Sequence, residues 1–552
     1  MRCAQDKSAI SRLYRGYVGQ KAVIVGNGPS LQVEKLAELK GYVAFGFNKI
    51  FLAYPQTTWR PDFYLVCDRL VAQQNSTEIR ALESRKIFSS GVWEELGDDE
   101  EALFVAPGSS AAWEVSEPSL LSPDGGKELW VPPDWNPLAG MRAGNSVTNF
   151  ALKMAFWMGF QEVYVLGLDH KFSLDKEIAG ERLHGGSVLE SDGEIRNHFS
   201  ADYRQPFEKW TFPKLDLMSR EFDRAREVYE SVSRRIVNAT PSSAYQGWEF
   251  GSIPDVATAR TSVQMEHRER LSISGPKHPK ISAIITAFNA EGTLGRAIDS
   301  ALNQSNPLLE VIVVNDASSD STAAVADEYA RNFPKVVKVI HHAENKGQGH
   351  AFVSAFCVAS GEYFSLLDSD DYWDSDKAQK LVSQILSDRD SLLFQQNLRV
   401  VDETKKTSSN RPFREYLVSG DITRFFREET TLGRFVPTSG ITVARGIVSE
   451  LYPDILDFRI SADGFLTRVA ARLGPFSSVS TPSGAYAITG LNSTFNNPNY
   501  SQGEHRQRLR LALEKNYARA GRVDLLPASV AKSFLVAVLS SWGRRLWRWL
   551  NS

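Results

Sequence analysis

Cysteine is nearly absent: Cys3, Cys67 and Cys357 are the three in 552 residues. They lie far apart and in no metal-ligand spacing. That argues against a disulfide framework and a cysteine-built zinc site, and it fits a reducing compartment. Charge of one sign is lacking too. The 63 Lys and Arg against 66 Asp and Glu leave a formal net charge of −3, so no bulk field draws nucleic acid. No apolar run reaches the roughly 20 residues that span a bilayer as a helix. The opening stretch, Met1 to Tyr17, lacks the apolar core of a secretory signal. The expectation is a cytoplasmic protein.

What is present is an ordinary globular composition, 42% hydrophobic and 23% charged, in a chain too long for one core. Apolar β-type segments alternate with helical patterns. Strands are expected at Ala22–Val25, Val43–Phe47, Phe63–Cys67, Leu103–Val105, Val163–Leu166 and Arg235–Asn238, and helices over about 146–158 and 217–232. The rhythm lapses in a polar stretch holding Gly275-Pro276 and restarts at Ile281. This alternation predicts an α/β fold class with two Rossmann-like domains in series. They are placed at 1–250 and 280–500, with a linker at 251–279 and a helical tail at 501–552. In the tail Leu535, Leu539, Trp542, Leu546 and Trp549 recur at helical spacing beside Arg544, Arg545 and Arg548. Two readings stand: a helix lying in the inner face of the cytoplasmic membrane, or a terminal helix packed on its own domain.

Acidic residues in the second half sit where strands end. Asp316 closes "EVIVVND", and Asp368, Asp370 and Asp371 follow "YFSLL". Strand carboxyl ends form the ligand crevice of an open α/β sheet. Carboxylates gathered there repel one another unless a hard divalent cation joins them and keeps positions open for diphosphate oxygens.

From Lys280 to Ser493 the sequence resembles the family 2 glycosyltransferases, of the GT-A fold. The resemblance rests on "ITAFNAEGTLGRAIDSALNQ", "VVNDASSDST", "ENKGQGHA", "LLDSDDYW", "PTSGITVARG" and "RISADGFL", in that order. It implies a nucleoside-diphosphate sugar donor held by Ala287, Asn289, Glu291, Asp316, Lys346, Asp368 and Asp371. It also implies Mn2+ or Mg2+ on Asp368 and Asp370, with the direct metal ligand among Asp368, Asp370 and Asp371 left open. Asp463 falls where inverting members place the general base. That group takes the acceptor hydroxyl proton as the oxygen attacks the anomeric carbon. The acceptor implied is a glycan or a lipid-linked saccharide. The family's Tyr-Arg-x-His-Gly is replaced by "YAITG", so Ala487 and Thr489 stand for the usual basic pair. Arg434 and Lys346 are the cations offered in their place. The Gln-x-x-Arg-Trp signature of processive polymerases is missing, which favours addition of one or a few sugars.

In the first half "VIVGNGPSL" runs a strand into a glycine-rich turn. Gly26 and Gly28 allow close backbone approach there. Ser30 is expected to cap a helix starting at Leu31, with its amides facing an anion. The spacing is neither the Walker pattern nor Gly-x-Gly-x-x-Gly. Asn48, Asp68 and Asp169-His170 each follow a further strand, and "AGNSVTNFALKMAFWMGF" supplies another turn into a helix. These stretches, with "NHFSADY", resemble a bacterial family related to the 6-hydroxymethylpterin diphosphokinase-like proteins and, more distantly, the family 42 sialyltransferases. The resemblance implies a nucleotide, or a CMP-linked sugar, held by Asn27, Gly28, Ser30, Asn48, Asn145, Ser146 and Asp169. His198 is the candidate acid or base. A second transferase, a phosphotransferase using Asp68 and Asp169, and a non-catalytic glycan- or nucleotide-binding module are the three readings of this half.

Overall fold

The computed structural model describes residues 2–106, 129, 131–138, 140–173, 176–183, 186–191, 193–194, 196–254, 278–404, 407–414, 417, 435–489 and 502–519. Arg434, most of the linker and the Trp- and Arg-bearing tail lie outside them. The chain divides into two compact units, with the change between Pro276 and Lys277. Each is described by itself.

The first unit is built on eight parallel strands. In spatial order they are Glu249–Phe250, Arg235–Asn238, Glu162–Leu166, Lys21–Val25, Val43–Phe47, Phe63–Val66, Arg85–Ser89 and Ala102–Val105. Val23, Ile24 and Val25 are wholly buried, which suits the continuous apolar strands of a sheet covered on both faces. The helix Val147–Met158 is buried along its whole length, capped at its start by Ser146 and stopped by Gly159 at φ +91°. A helix that is apolar on nearly every side must be enclosed, and Trp157 packs its ring 4.6 Å from that of Tyr14.

The chain adds strands outward from Lys21–Val25 to Ala102–Val105, then returns to build the other side from Glu162–Leu166. The order therefore reverses between Lys21–Val25 and Glu162–Leu166, and a crevice opens at their carboxyl ends. The strand Arg85–Ser89 escapes a reading by apolarity because its Lys86 looks solvated. In the fold Lys86 is 3% exposed and paired with Asp99 at 2.8 Å. A polar three-stranded antiparallel sheet (Lys176–Leu183, Gly186–Glu190, Lys209–Thr211) was also not expected.

In the second unit a seven-stranded sheet runs Val337–His341, Glu310–Asn315, Ile281–Ala287, Tyr363–Asp368, Ile441–Ala444, Leu393–Gln396 and Phe476–Val479. The first four are parallel. Ile441–Ala444 runs antiparallel to both its neighbours, giving the mixed, mostly parallel sheet expected. Its order reverses between Ile281–Ala287 and Tyr363–Asp368, the same topological place as in the first unit. Helices Leu294–Leu302, Thr322–Asn332, Gln348–Val358, Lys377–Ser387 and Ala462–Leu473 accompany it. The later helix Gln502–Arg519 is tied down by Asn516, whose Nδ2 donates to the Glu450 carbonyl at 2.6 Å. Among the described residues no helix is long and apolar enough to cross a membrane.

Candidate active site

At the end of strand Tyr363–Asp368 the chain folds back, and the Asp371 amide donates to the Asp368 carbonyl at 3.2 Å. This sends Asp371 inward, where it is 1% exposed. Its two oxygens accept from Ser439 Oγ at 2.5 Å and from the Ala487 amide at 2.8 Å. Asp371 therefore ties the "YAITG" strand to the acidic turn. Ser439 Oγ also receives the Asp368 amide at 3.0 Å, so one hydroxyl organises two of the three acids. The Asp370 carbonyl accepts from Arg296 Nη2 at 2.8 Å.

Asp463 lies in the first turn of Ala462–Leu473, near enough for its charge to act on Asp368. Burial drives the Asp368 carboxyl well above its ordinary range, and the charges of Asp371, Asp370 and Asp463 add to it. Burial, then Asp370, pushes Asp371 up to about 8. Burial raises Asp370 and Asp463 as well. Tyr486 is pushed up to about 12, by burial and then by all four acids. Sequence reasoning missed Tyr486 as a site residue, although it opens the very segment that was compared with the family motif.

Such crowded, half-dry carboxylates fit a hard divalent cation, whose charge would relieve the repulsion. Among the described residues no group of three His, Cys, Asp or Glu is arranged to hold an ion alone. Two carboxylates with the remaining positions left to water and substrate phosphates is the ordinary way to bind Mg2+. Asp368 and Asp370 suit that duty. Each Asp371 oxygen accepts one bond from the protein, from Ser439 and from the Ala487 amide.

On the other side of the switch point, the Asp316 amide donates to the Ala287 carbonyl at 2.9 Å. Asp316 is 4% exposed. Its Oδ1 meets His342 Nδ1 at 2.6 Å and accepts the Lys346 amide at 3.0 Å, while Oδ2 accepts the Gly347 amide at 2.7 Å. Burial alone would raise this carboxyl, but the bonds from His342, Lys346 and Gly347 prevail and hold it below the usual range. Asn289 Oδ1 accepts the Ser319 amide at 2.9 Å and Glu291 Oε2 the Ser321 amide at 2.8 Å. Both knit the first loop to the second. Phe288, just before Asn289, leaves 46% of its surface exposed. Lys346 Nζ lies 3.7 Å from Glu344.

The first unit's crevice is arranged differently. The Gly28 amide donates to the Gly167 carbonyl at 2.9 Å, and Asp169 Oδ2 accepts from Ser30 Oγ at 2.7 Å and from the Ser30 amide at 3.2 Å. The anion facing this turn is thus the protein's own carboxylate. A Cβ on Gly28 would stand 1.9 Å from Asp169 Oδ2, which explains the glycine. The expected helix from Leu31 is corrected. A 3-10 helix begins at Val33 without a side-chain cap, because Ser30 is turned towards Asp169.

Asn27 Nδ2 donates to the Phe47 carbonyl at 3.0 Å, and the Asn27 carbonyl receives the Phe199 amide at 3.0 Å. The loop carrying His198 therefore lies against the glycine turn. His198 stacks on Tyr203 at 3.7 Å, nearly parallel. Burial, then Arg204 and Lys49, lowers its basicity well below that of an ordinary imidazole. Lys49, next to Asn48, reaches the Tyr203 carbonyl at 2.8 Å and Glu208 at 2.6 Å. The buried Oδ1 atoms of Asn27, Asn48 and Asn149 have no protein partner. Asn145 and Ser146 serve local structure. Asn145 Nδ2 donates to Glu221 at 3.0 Å, and Ser146 Oγ caps its helix at the Asn149 amide, 3.1 Å. Asp68 likewise caps Arg69–Gln74. Glu221 was not singled out from sequence, since it looks like one more surface acid on an amphipathic helix.

Residues 282–445 match the family model "Glycosyl transferase family 2", and residues 3–175 match "6-hydroxymethylpterin diphosphokinase MptE-like". Each half of the chain thus carries a segment that matches its own family model. An uncharacterized glycosyltransferase of Nostoc sp. is 32% identical over 215 residues, covering 39% of this chain and 66% of that protein. The chondroitin synthase of Pasteurella multocida is 29% identical over 170 residues, 31% of this chain and 15% of its own length. The chain therefore spans just under two thirds of the first of these relatives and a small part of the second. The structure of S. aureus TarS 1-349 in complex with UDP-GlcNAc aligns at 19% identity and a TM-score of 0.35, covering 45% of this chain and 70% of that one.

Proposed function

We propose that the second unit transfers a sugar, with inversion, from a nucleoside-diphosphate sugar to a hydroxyl of a glycan or lipid-linked saccharide during bacterial surface-polysaccharide or glycolipid assembly. The observation that carries this reading is the acidic cluster at the end of strand Tyr363–Asp368, where the charges of Asp371, Asp370 and Asp463 all act on Asp368, across the switch point from Asp316. Asp316 Oδ2 keeps acceptor capacity for an N–H of the base, and the exposed ring of Phe288, in the loop after the neighbouring strand, offers a stacking face. Asp368 and Asp370 would hold Mn2+ or Mg2+, which supplies positive charge for the leaving diphosphate. Asp463, its proton affinity raised by burial, takes the acceptor's hydroxyl proton. Asp371 and Ser439 keep the two sides of the pocket in register.

The test is release of nucleoside diphosphate from a panel of UDP- and GDP-sugars, with Mn2+ or Mg2+ and oligosaccharide acceptors. Turnover that survives chelation, or that is unchanged in Asp463→Asn, would sink the assignment. For the first unit, the placing of the His198 loop against the glycine turn favours a second transferase with His198 as acid or base, using a nucleotide-linked sugar such as a CMP-sugar. The phosphotransferase reading loses support because Asp68 is engaged as a helix cap and Asp169 by Ser30. Binding of glycan without any nucleotide would return this unit to a non-catalytic role.

A further inference from the structure

The helix that carries Asp463 has an unusual start. Its N-cap residue, Ser461, sits at φ +54° and makes no side-chain cap bond. A helix start leaves its first amides without intrahelical acceptors. The first of them, the Ala462 amide, is taken by a residue 114 positions earlier: Gln348 Oε1 accepts it at 2.8 Å. The other end of the same side chain turns to the acidic pocket, where Gln348 Nε2 donates to Asp368 Oδ1 at 3.4 Å. One amide group therefore touches both the start of the base-bearing helix and a carboxylate of the candidate metal pair.

The backbone around it is locked in the same direction. The Gln348 and Gly349 amides donate to the Arg459 and Phe458 carbonyls at 2.9 and 2.8 Å. Arg459 Nη2 returns to Asn345 Oδ1 at 2.7 Å. A Cβ on Gly349 would stand 2.0 Å from the Ile455 carbonyl oxygen, and one on Gly347 would stand 2.4 Å from the Arg459 Cα. The two glycines are what let this loop lie flat against the segment ahead of the base. The same loop gives Asp316 the Lys346 and Gly347 amides. Donor side and acceptor side are one packed body here, and Gln348 is the side chain in it that reaches towards both carboxylate sites.

We propose that Gln348 is a positioning residue that fixes Asp463 relative to Asp368, and so sets the base at its distance from the reacting centre. The proposal rests on the glycosyltransferase reading of this unit. A glutamine suits the task because its amide supplies one acceptor and two donors in a fixed plane. Leucine would fill the space and make neither bond. Glutamate would keep the acceptor for Ala462 but set a second negative charge beside Asp368.

The experiment compares the full-length wild type with Gln348→Leu and Gln348→Glu. Hydrogen exchange is followed by mass spectrometry on peptides covering residues 459–466. Turnover is measured on a panel of UDP-glucose, UDP-galactose, UDP-N-acetylglucosamine and GDP-mannose with Mn2+. Gln348→Leu is expected to speed exchange at 461–464 by tenfold or more and to lower kcat by about tenfold, with donor KM within twofold. Gln348→Glu is expected to keep the exchange protection while still losing kcat, because only the Asp368 bond is gone. Unchanged exchange in Gln348→Leu overturns the proposal. So does a kcat within twofold of wild type, or a rise in donor KM that accounts for the whole loss. If the wild type turns over no donor on the panel, the glycosyltransferase reading has failed. The exchange measurement then still decides whether Gln348 holds the Asp463 helix.

Discussion

Two crevices occupy the same topological place, each where a doubly wound sheet reverses its strand order, and they handle negative charge in opposite ways. In the second unit Asp371 is buried and Asp368, Asp370 and Asp463 are part-buried, and the carboxyls of all four are raised, by burial first. In the first, Asp169 is bonded locally by Ser30 Oγ and the Ser30 amide. Tension left unrelieved marks a place where a cation from outside the chain would improve the electrostatics. A carboxylate bonded this way marks a loop whose polar groups are taken up by structure. A glycine turn at a strand end is thus a weaker sign of phosphate than a crowd of buried acids is of a metal.

The contrast is broken most strongly at the acids. Asp463→Asn is expected to lower kcat by about 10²–10⁴-fold with donor binding intact, as loss of a general base does, read by steady-state turnover and nucleotide titration. If His198 is the base of a second transferase, His198→Gln is expected to lower that unit's turnover by a similar order, about 10²-fold, with nucleotide affinity preserved. Loss of affinity instead would make His198 a binding residue. Next comes Gly28→Ala, whose added carbon would displace Asp169 from Ser30. A loss of about 1–3 kcal/mol is expected in urea unfolding of the first unit's transition. The same change would be silent if the turn could relax around the methyl.

The smallest effect concerns Lys377, whose Nζ is buried on Gln396 Oε1 at 2.7 Å and lies 4.7 Å from the Trp373 ring centre. Burial lowers its pKa to about 7, against about 10.4 in an unfolded chain. Between those values the unfolded chain binds the extra proton, so this group makes stability rise as pH increases from about 7 to about 10. Lys377→Met should flatten that slope in melting curves taken across the window. An unaltered slope would assign the pH dependence to other groups.

Much of this was legible in the chain. The apolar runs ending in Asp316 and Asp368 gave the strands and the acids at their carboxyl ends, because strand periodicity and strand-end position are local properties; the reversal of strand order came only from the pairing. The elements that escaped are those whose meaning depends on a distant partner. Lys86 reads as a solvated charge until Asp99 covers it. Ser30 reads as a helix cap until Asp169, 139 residues on, accepts its proton. Asp371 reads as one of three acids at a strand end, and only the fold shows Ser439 and the Ala487 amide bonding to its two oxygens.

The sequence by itself determined that two α/β sheets stand in series and that carboxylates gather at the end of one of them. Hydrophobic alternation and the residue types after each strand are sufficient for that. Only the tertiary structure showed which acids bond to the protein around them, Asp371 to Ser439 and Ala487, and that Gln348 accepts the first amide of the helix bearing Asp463. A hydrogen bond between residues more than a hundred positions apart leaves no trace in local pattern. Its geometry exists only once both strands and both helices are packed.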